Sequence, residues 1–432
     1  MKTFKKLLFL LNLKERKQAG LLLIMILIMS LLDMIGVASI LPFIAVLTDV
    51  SIIEKNIILN KIFNVFTIFG IENNQQFVFA LGVLVFLLLV ISLFFKAFTT
   101  YKQVKFVQML EYSIGRRLIE GYLNQPYSWF LSRNSAELAK TILSELGSII
   151  GNGMRPLVEL IAKGMVTIAL ITLLILVDLK ITLVMGFSLS ASYLLIFYFL
   201  RKYLNRIGDE KLKNNNLRFI ALSEAFGAAK EVKVGGLEKI YIKLFSNSAR
   251  TLAKNQASAS IISALPRFIL EAVAFGGILL LILYIISQTG NFNNALPIIS
   301  LYAFAGYRLM PAIQQIYASF TNLTFVGPSL NKLSDDIKSL KPFNEIKDEG
   351  ILHLNKMISL KNINYNYPNA SRTTLKNINI NIPVNTTVAF VGATGSGKTT
   401  IVDIILGLLE AQKGTLEVDG KVITKKNSRS WQ

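Results

Sequence analysis

The chain has 432 residues, of which 53% are hydrophobic and only 17% charged, whereas a soluble globular chain carries roughly a quarter charged residues. There is no cysteine and a single histidine, His353, which excludes disulfides, cysteine nucleophiles and thiolate or multi-histidine metal centres. The formal charge of +20 invites a nucleic-acid reading, so where that charge sits has to decide.

In chain order, six stretches are apolar and long enough to cross a membrane, near 19–47, 77–98, 157–177, 181–200, 268–286 and 295–313. A hydrocarbon core about 30 Å thick needs about 20 helical residues. The first stretch carries Asp33 and Pro42, the third Glu159 and Lys163, the fifth Glu271, and the last Arg308 and Pro311. The short apolar run Leu7–Leu13 is followed by charges and then a full-length span, which argues against a cleaved leader.

Lysine and arginine counts orient the spans. With the N-terminus in the cytosol, the N-terminal tail holds six basic residues, and the segments 99–154 and 201–260 hold six and twelve. The opposite side holds three in all. The asymmetry accounts for much of the positive charge, and no nucleic-acid recognition motif accompanies it. Both long inner segments show apolar residues at three- and four-residue spacing, in LAKTILSELGSII and RFIALSEAFGAAKEVK. Four spans are therefore expected to continue as helices into the cytosol, each pair joined by a short turn.

Residues 1–333 are read as the transmembrane domain and the polar stretch 334–352 as a linker. From 353 to 432 the pattern changes to short β-like runs: ISLKNINYNY, LKNININI and TTVAFVG. His353, at this junction, reads as a surface residue. The last run leads into Gly392–Thr399, GATGSGKT, which matches G-x-x-x-x-G-K-[ST] at every fixed position, and then into a helical pattern, TTIVDIILGLLE. Gly392, Gly395 and Gly397 let the backbone N–H groups of a loop through Ala393, Thr394 and Ser396 curl around phosphates, and the helix N-terminus at Thr399 and Thr400 adds positive potential. Lys398 supplies a charge to the phosphates, and the Thr399 hydroxyl is a ligand for Mg²⁺.

Six membrane helices with long helical inner loops, followed by a phosphate-binding domain, resemble an ABC exporter half-transporter. The fold the resemblance implies is an all-α, six-helix transmembrane domain followed by the N-terminal part of an α/β P-loop ATPase domain. It also implies ATP and Mg²⁺ as cofactors, and a homodimer, because in that family a phosphate loop and a signature motif face each other across two chains. Asn364–Pro368 (NYNYP) looks like the family's adenine-stacking segment and would set Tyr367 against the base, although Tyr365 alternates with it and either can be a packed strand residue. Gly414–Gly420 (GTLEVDG) resembles the strand and turn after the phosphate-loop helix. The inner tips would be coupling helices, near Gln125–Leu131 with Trp129 and Phe130, and near Leu217–Phe226. The signature motif, Walker B aspartate, catalytic glutamate and switch histidine of the family have no match here. The catalytic residues are thus unknown, and the 432-residue chain is expected to be a truncated exporter that binds nucleotide weakly and hydrolyses none.

Lys96, Arg267 and Arg308 lie in or beside spans, where a cation near the centre costs roughly 2.5–3.5 kcal/mol on insertion scales. They are the substrate-cavity candidates. Their plainer alternatives are a pair between Arg267 and Glu271, one turn apart, and a pair of Arg308 with Asp33 across the bundle; Glu159 and Lys163 have the same one-turn spacing. The stretches SALPRFILEAVAFG and YRLMPAIQQI resemble the exporters that flip lipid-linked oligosaccharides, with Gln315 where a further cation is expected. Residues 52–69 suit a helix lying on the outer membrane surface. The resemblance implies an ATP-driven flippase of a lipid-linked oligosaccharide or other anionic lipid in a bacterial inner membrane, with its N-terminus and nucleotide domain cytoplasmic. The alternative is an ABC exporter of drugs, peptides or other lipids.

Overall fold

The computed structural model describes residues 2–68, 73–268, 292–340, 350–367 and 373–432, with residues 271, 272, 276, 279, 280 and 283 among the rest. The chain forms two compact units, one of residues 1–117 and 139–337, the other of 118–138 and 338–432. The fifth expected span, 268–286, lies largely outside the described residues, as do residues 341–349 of the linker and Pro368.

Helix α1 (Lys2–Phe9) leads to α2 (Leu13–Ala38). Asn12 caps α2 reciprocally: its side chain accepts from the Glu15 N–H, and the Glu15 carboxylate accepts from the Asn12 N–H, both at 2.8 Å. The expected span 19–47 is two helices, α2 and α3 (Ile40–Thr48), which part at Ser39. Pro42 explains the break, because it has no N–H for the Ala38 carbonyl and its ring crowds that carbonyl. Short helices α4 (Ile52–Lys55) and α5 (Ile57–Thr67) follow, with Leu59 packed beside Phe77 and Leu81.

The next helices are far longer than a membrane crossing requires. Helix α6 (Asn74–Leu123) has 50 residues and α9 (Leu179–Gly227) has 49. Helix α12 (Phe292–Ser339), which carries the sixth apolar stretch, has 48. At 1.5 Å per residue each runs for about 72–75 Å. Helix α7 (Tyr127–Phe130) and helix α8 (Ser135–Val177) come between α6 and α9. Among the described residues, three helical runs are long and apolar enough to cross a membrane: Leu13–Thr48, Asn74–Leu123 and Ser135–Val177.

The two expected tips come out differently. The first is the short helix α7, inside the expected Gln125–Leu131, where Trp129 stacks at 5.5 Å on Tyr122 and lies 4.4 Å beneath the Arg133 guanidinium. The second was expected at Leu217–Phe226, but those residues are the end of α9. The short helix is α10 (Ala229–Val234), followed by a Gly235–Gly236 turn and α11 (Glu238–Ala264). Helix α9 ends at Gly227, and Ala228 leaves the helical conformation. The linker also begins later than expected, because α12 continues to Ser339.

Leu204 and Ile207 of α9, Ala259 and Ile262 of α11 and Phe325 of α12 form one core. Gly208 lets α9 touch backbone there, since a Cβ at that position would sit 2.4 Å from the Phe325 carbonyl oxygen. A polar layer joins α8 to α9 where two π-helical turns, Thr141–Glu145 and Ile150–Met154, interrupt α8. Asn215 donates to Glu145 at 2.6 Å, Lys140 donates to Asn216 at 2.8 Å, and Lys211 donates to Ser148.

Burial pushes the Lys211 ammonium below its ordinary 10.5, with Glu145 opposing the shift. Below the lowered value both states are protonated and the fold carries the full desolvation cost. As pH rises from there towards 10.5, the folded state releases its proton first, so stability rises. The melting temperature of the wild type, relative to Lys211→Met, should therefore climb over that window. A pH-independent difference would contradict the assignment.

The second unit holds a four-stranded antiparallel sheet in the order β2-β1-β3-β4. Its strands are β1 (Met357–Tyr365), β2 (Leu375–Pro383), β3 (Lys413–Val418) and β4 (Lys421–Val422). Asp419 closes the β3–β4 turn and accepts the N–H groups of Asn355, Lys356 and Met357 at 2.6–2.8 Å, which hold its carboxyl below the usual range. His353 is exposed, as expected. The expected buried strand TTVAFV does not form: residues 386–391 are irregular, and Val391 is 92% exposed. A strand is held by ladder bonds to neighbours, and no described segment pairs with this one.

Candidate functional site

In the second unit, β1, β2 and the helix α13 (Lys398–Ile405) place the phosphate loop. Ile401 and Ile404 of α13 pack with Ile358, Leu360, Ile363 and Leu375 of the sheet. The loop before it turns through Gly395 at φ +83° and Gly397 at φ +89°. The second position has no room for a side chain, since a Cβ on Gly397 would lie 2.6 Å from Leu375 Cδ2 and 3.1 Å from the Thr374 carbonyl oxygen. Gly397 is also the residue that starts α13, so the loop's free N–H groups and the positive end of the helix coincide.

Lys398 folds back over the loop, its Nζ donating to the Gly392 and Ala393 carbonyl oxygens, both at 2.8 Å. Those bonds hold the ammonium beside the backbone that would wrap a phosphate. Ala393, Thr394, Gly395, Ser396 and Thr399 are exposed around it. Thr400 is buried and turned inward, its hydroxyl 3.1 Å from the Tyr367 hydroxyl. The two tyrosines are now distinct. Tyr365 is buried in the sheet core, while Tyr367 is half-buried past the end of β1, its ring edge-on to Tyr365 at 5.1 Å. Among the described residues no group of three carboxylates or histidines could hold a metal. The Thr399 hydroxyl is an oxygen donor, the kind of ligand that Mg²⁺ takes.

In the first unit the polar centre is Asp33 on α2, which is 0% exposed. It accepts from Ser92 Oγ at 2.9 Å and Lys96 Nζ at 3.3 Å, both on α6, and from Arg308 Nη1 on α12. Two of the three cavity candidates thus share one carboxylate. The third, Arg267, is apart from them and pairs with Glu271 at 2.7 Å. Glu159 does not take Lys163: it accepts from Arg155 at 3.1 Å and from Gln315 Nε2 at 2.5 Å. Ser92 is the partner that residue types alone do not single out, because an apolar helix gives no sign of which serine faces a distant carboxylate.

Helices that cross a membrane, feeding a unit with a glycine-shaped phosphate loop at a helix start, define a multi-pass membrane protein with a nucleotide-type site. Residues 38–310 match the ABC transporter transmembrane region and residues 375–432 the ABC transporter domain. The first match alone covers more than half of the chain, and the protein belongs to the ABC transporter family. The chain is 26% identical over 322 residues to an ATP-dependent lipid A-core flippase of Wigglesworthia glossinidia brevipalpis, covering 71% of this chain and 52% of that protein. It is 23% identical over 317 residues to the protein of the same name from Photorhabdus laumondii subsp. laumondii, with the same shares covered. The chain spans about half the length of the curated relatives it matches. Among solved structures, a bacterial Atm1-family ABC exporter with ATP bound aligns with a TM-score of 0.67 at 15% identity, over 97% of this chain and 70% of that one. That likeness speaks to the fold, which is of ABC exporter type.

Proposed function

We propose that the protein is part of an ATP-driven exporter that moves an anionic lipid, of the lipid-linked oligosaccharide kind or similar, across a bacterial inner membrane. The observation that carries this reading is the charge carried by the spans. Lys96 and Arg308 both lean on Asp33, so one positive charge beside it has no counter-ion among the described residues. An uncompensated cation among membrane helices marks a substrate path more often than a structural bond. Relatives named as lipid flippases favour a lipid cargo.

In this reading the N-terminus and phosphate loop face the cytosol, and two copies work as a homodimer. Gly392–Thr399 wraps the ATP phosphates and Lys398 leaves its loop carbonyls for them. Tyr367 lies against the base, and Thr399 holds Mg²⁺, which would screen phosphate charge. The α7 tip with Trp129 and Phe130 would be a coupling helix. A second reading, export of drugs, peptides or other lipids, is favoured by the pairing of Arg267 with Glu271, which leaves that arginine no free charge for an anion.

Reconstitution of the protein at its relatives' full length tests the choice. ATP should drive outward movement of a short-chain labelled phosphatidate faster than of the matching phosphatidylcholine. Equal rates would reject the anionic cargo and favour the second reading.

A further inference from the structure

Lys163 lies on α8 within electrostatic range of Lys96, Asp33 and Glu159. Its helix neighbours Ala162 and Val166 pack into the core that α8 shares with Ile26 and Met29 of α2 and with Leu301 and Ala305 of α12. Among the described residues, no side chain hydrogen-bonds to Lys163 or forms an ion pair with it. The obvious partner, Glu159, is taken by Arg155 and Gln315. Asp33 is taken by Ser92, Lys96 and Arg308. With Glu159 matched by Arg155 and Asp33 matched by one of its two cations, two positive charges here have no counter-ion among the described residues, and Lys163 is one of them. It is half-buried, so a molecule from outside the helix packing can still reach it. A lysine held there without a partner carries a cost of insertion that an incoming anion would offset.

We propose that Lys163 is a binding point for the phosphate of an anionic lipid, acting with whichever of Lys96 and Arg308 the lipid draws from Asp33. The inference rests on the transport reading above and names a contact residue for it. A lysine suits the role because its ammonium is a compact charge that accepts phosphate from several directions.

The test is native mass spectrometry of the full 432-residue chain in neutral detergent, with dioctanoyl phosphatidate, dioctanoyl phosphatidylcholine and inorganic phosphate as probes. Wild type should prefer phosphatidate to phosphatidylcholine. Lys163→Gln should weaken phosphatidate by about tenfold, equal to about 1.4 kcal/mol, without lowering the melting temperature. Lys163→Arg should keep the preference, because its charge is permanent. Unchanged phosphatidate binding in Lys163→Gln would overturn the role of Lys163 and leave the transport reading intact. Melting temperatures that fall in both variants would overturn it too, by making Lys163 structural. A wild type without preference would instead reject the anionic-lipid reading itself. Displacement of phosphatidate by an equal concentration of inorganic phosphate would show a soluble anion and overturn the lipid half of the proposal.

Discussion

Asp33→Asn should be the most damaging single substitution among the membrane helices. The carboxylate is wholly buried and is the acceptor for Lys96 and Arg308 on two other helices. Asparagine is nearly isosteric and can still take the Ser92 hydroxyl at the same 2.9 Å place. It leaves two cations without a counter-charge. Breaking a buried pair in this way costs about 3–5 kcal/mol, a large part of a typical domain's stability. The expected result is a steep fall in folded yield and melting temperature.

Arg308→Gln should be milder, since Lys96 and Ser92 still satisfy the carboxylate. The double variant Asp33→Asn with Arg308→Gln should recover part of the loss, because the two residues share one interaction. An Asp33→Asn protein as stable as wild type would show that the three-helix ion cluster does not form. The same series bears on transport. If Arg308 serves only Asp33, the single variants lose stability and transport together. If it also receives substrate, Arg308→Gln loses transport at a melting temperature near that of wild type.

Lys398→Ala should weaken nucleotide binding strongly while leaving the sheet intact. The ammonium makes no contact with the core, and its two bonds go to the Gly392 and Ala393 carbonyl oxygens of an exposed loop. Its charge therefore serves whatever enters the loop. Hydrogen bonds to charged groups contribute about 1.5–3 kcal/mol, so ATP affinity should fall by roughly ten- to more than a hundredfold. The antiparallel ladder from β2 to β4 should melt at an unchanged temperature. Retained ATP binding in the variant would place the nucleotide elsewhere.

The apolar stretches and the phosphate-loop spacing are legible in the sequence because both are local signals. One is a run of about 20 apolar residues and the other a fixed eight-residue spacing. Three of the six stretches lie in described helical runs long and apolar enough to cross a membrane. Ion partnerships are not local. Ser92, Lys96 and Arg308 lie 59, 63 and 275 positions from Asp33, and only helix packing brings them together. The one-turn spacing of Glu159 and Lys163 is matched by that of Arg155 and Glu159, and the geometry chose the second pair. The segment 386–391 has strand-forming residues, but pattern supplies no neighbour for it to bond. At the second inner tip the helical period is readable through Phe226, whereas the stop at Ala228 depends on how Gly227 and the Gly235–Gly236 turn fold.

The most direct test of the account is nucleotide-driven lipid movement. The protein at its relatives' full length would be placed in liposomes carrying a fluorescent anionic lipid, and its transfer between leaflets followed by quenching. Transfer should require hydrolysable ATP, be lost in Lys398→Ala, and slow when Lys163 or Arg308 is replaced by glutamine. Transfer at the same rate without ATP, or undiminished in Lys398→Ala, would contradict the account.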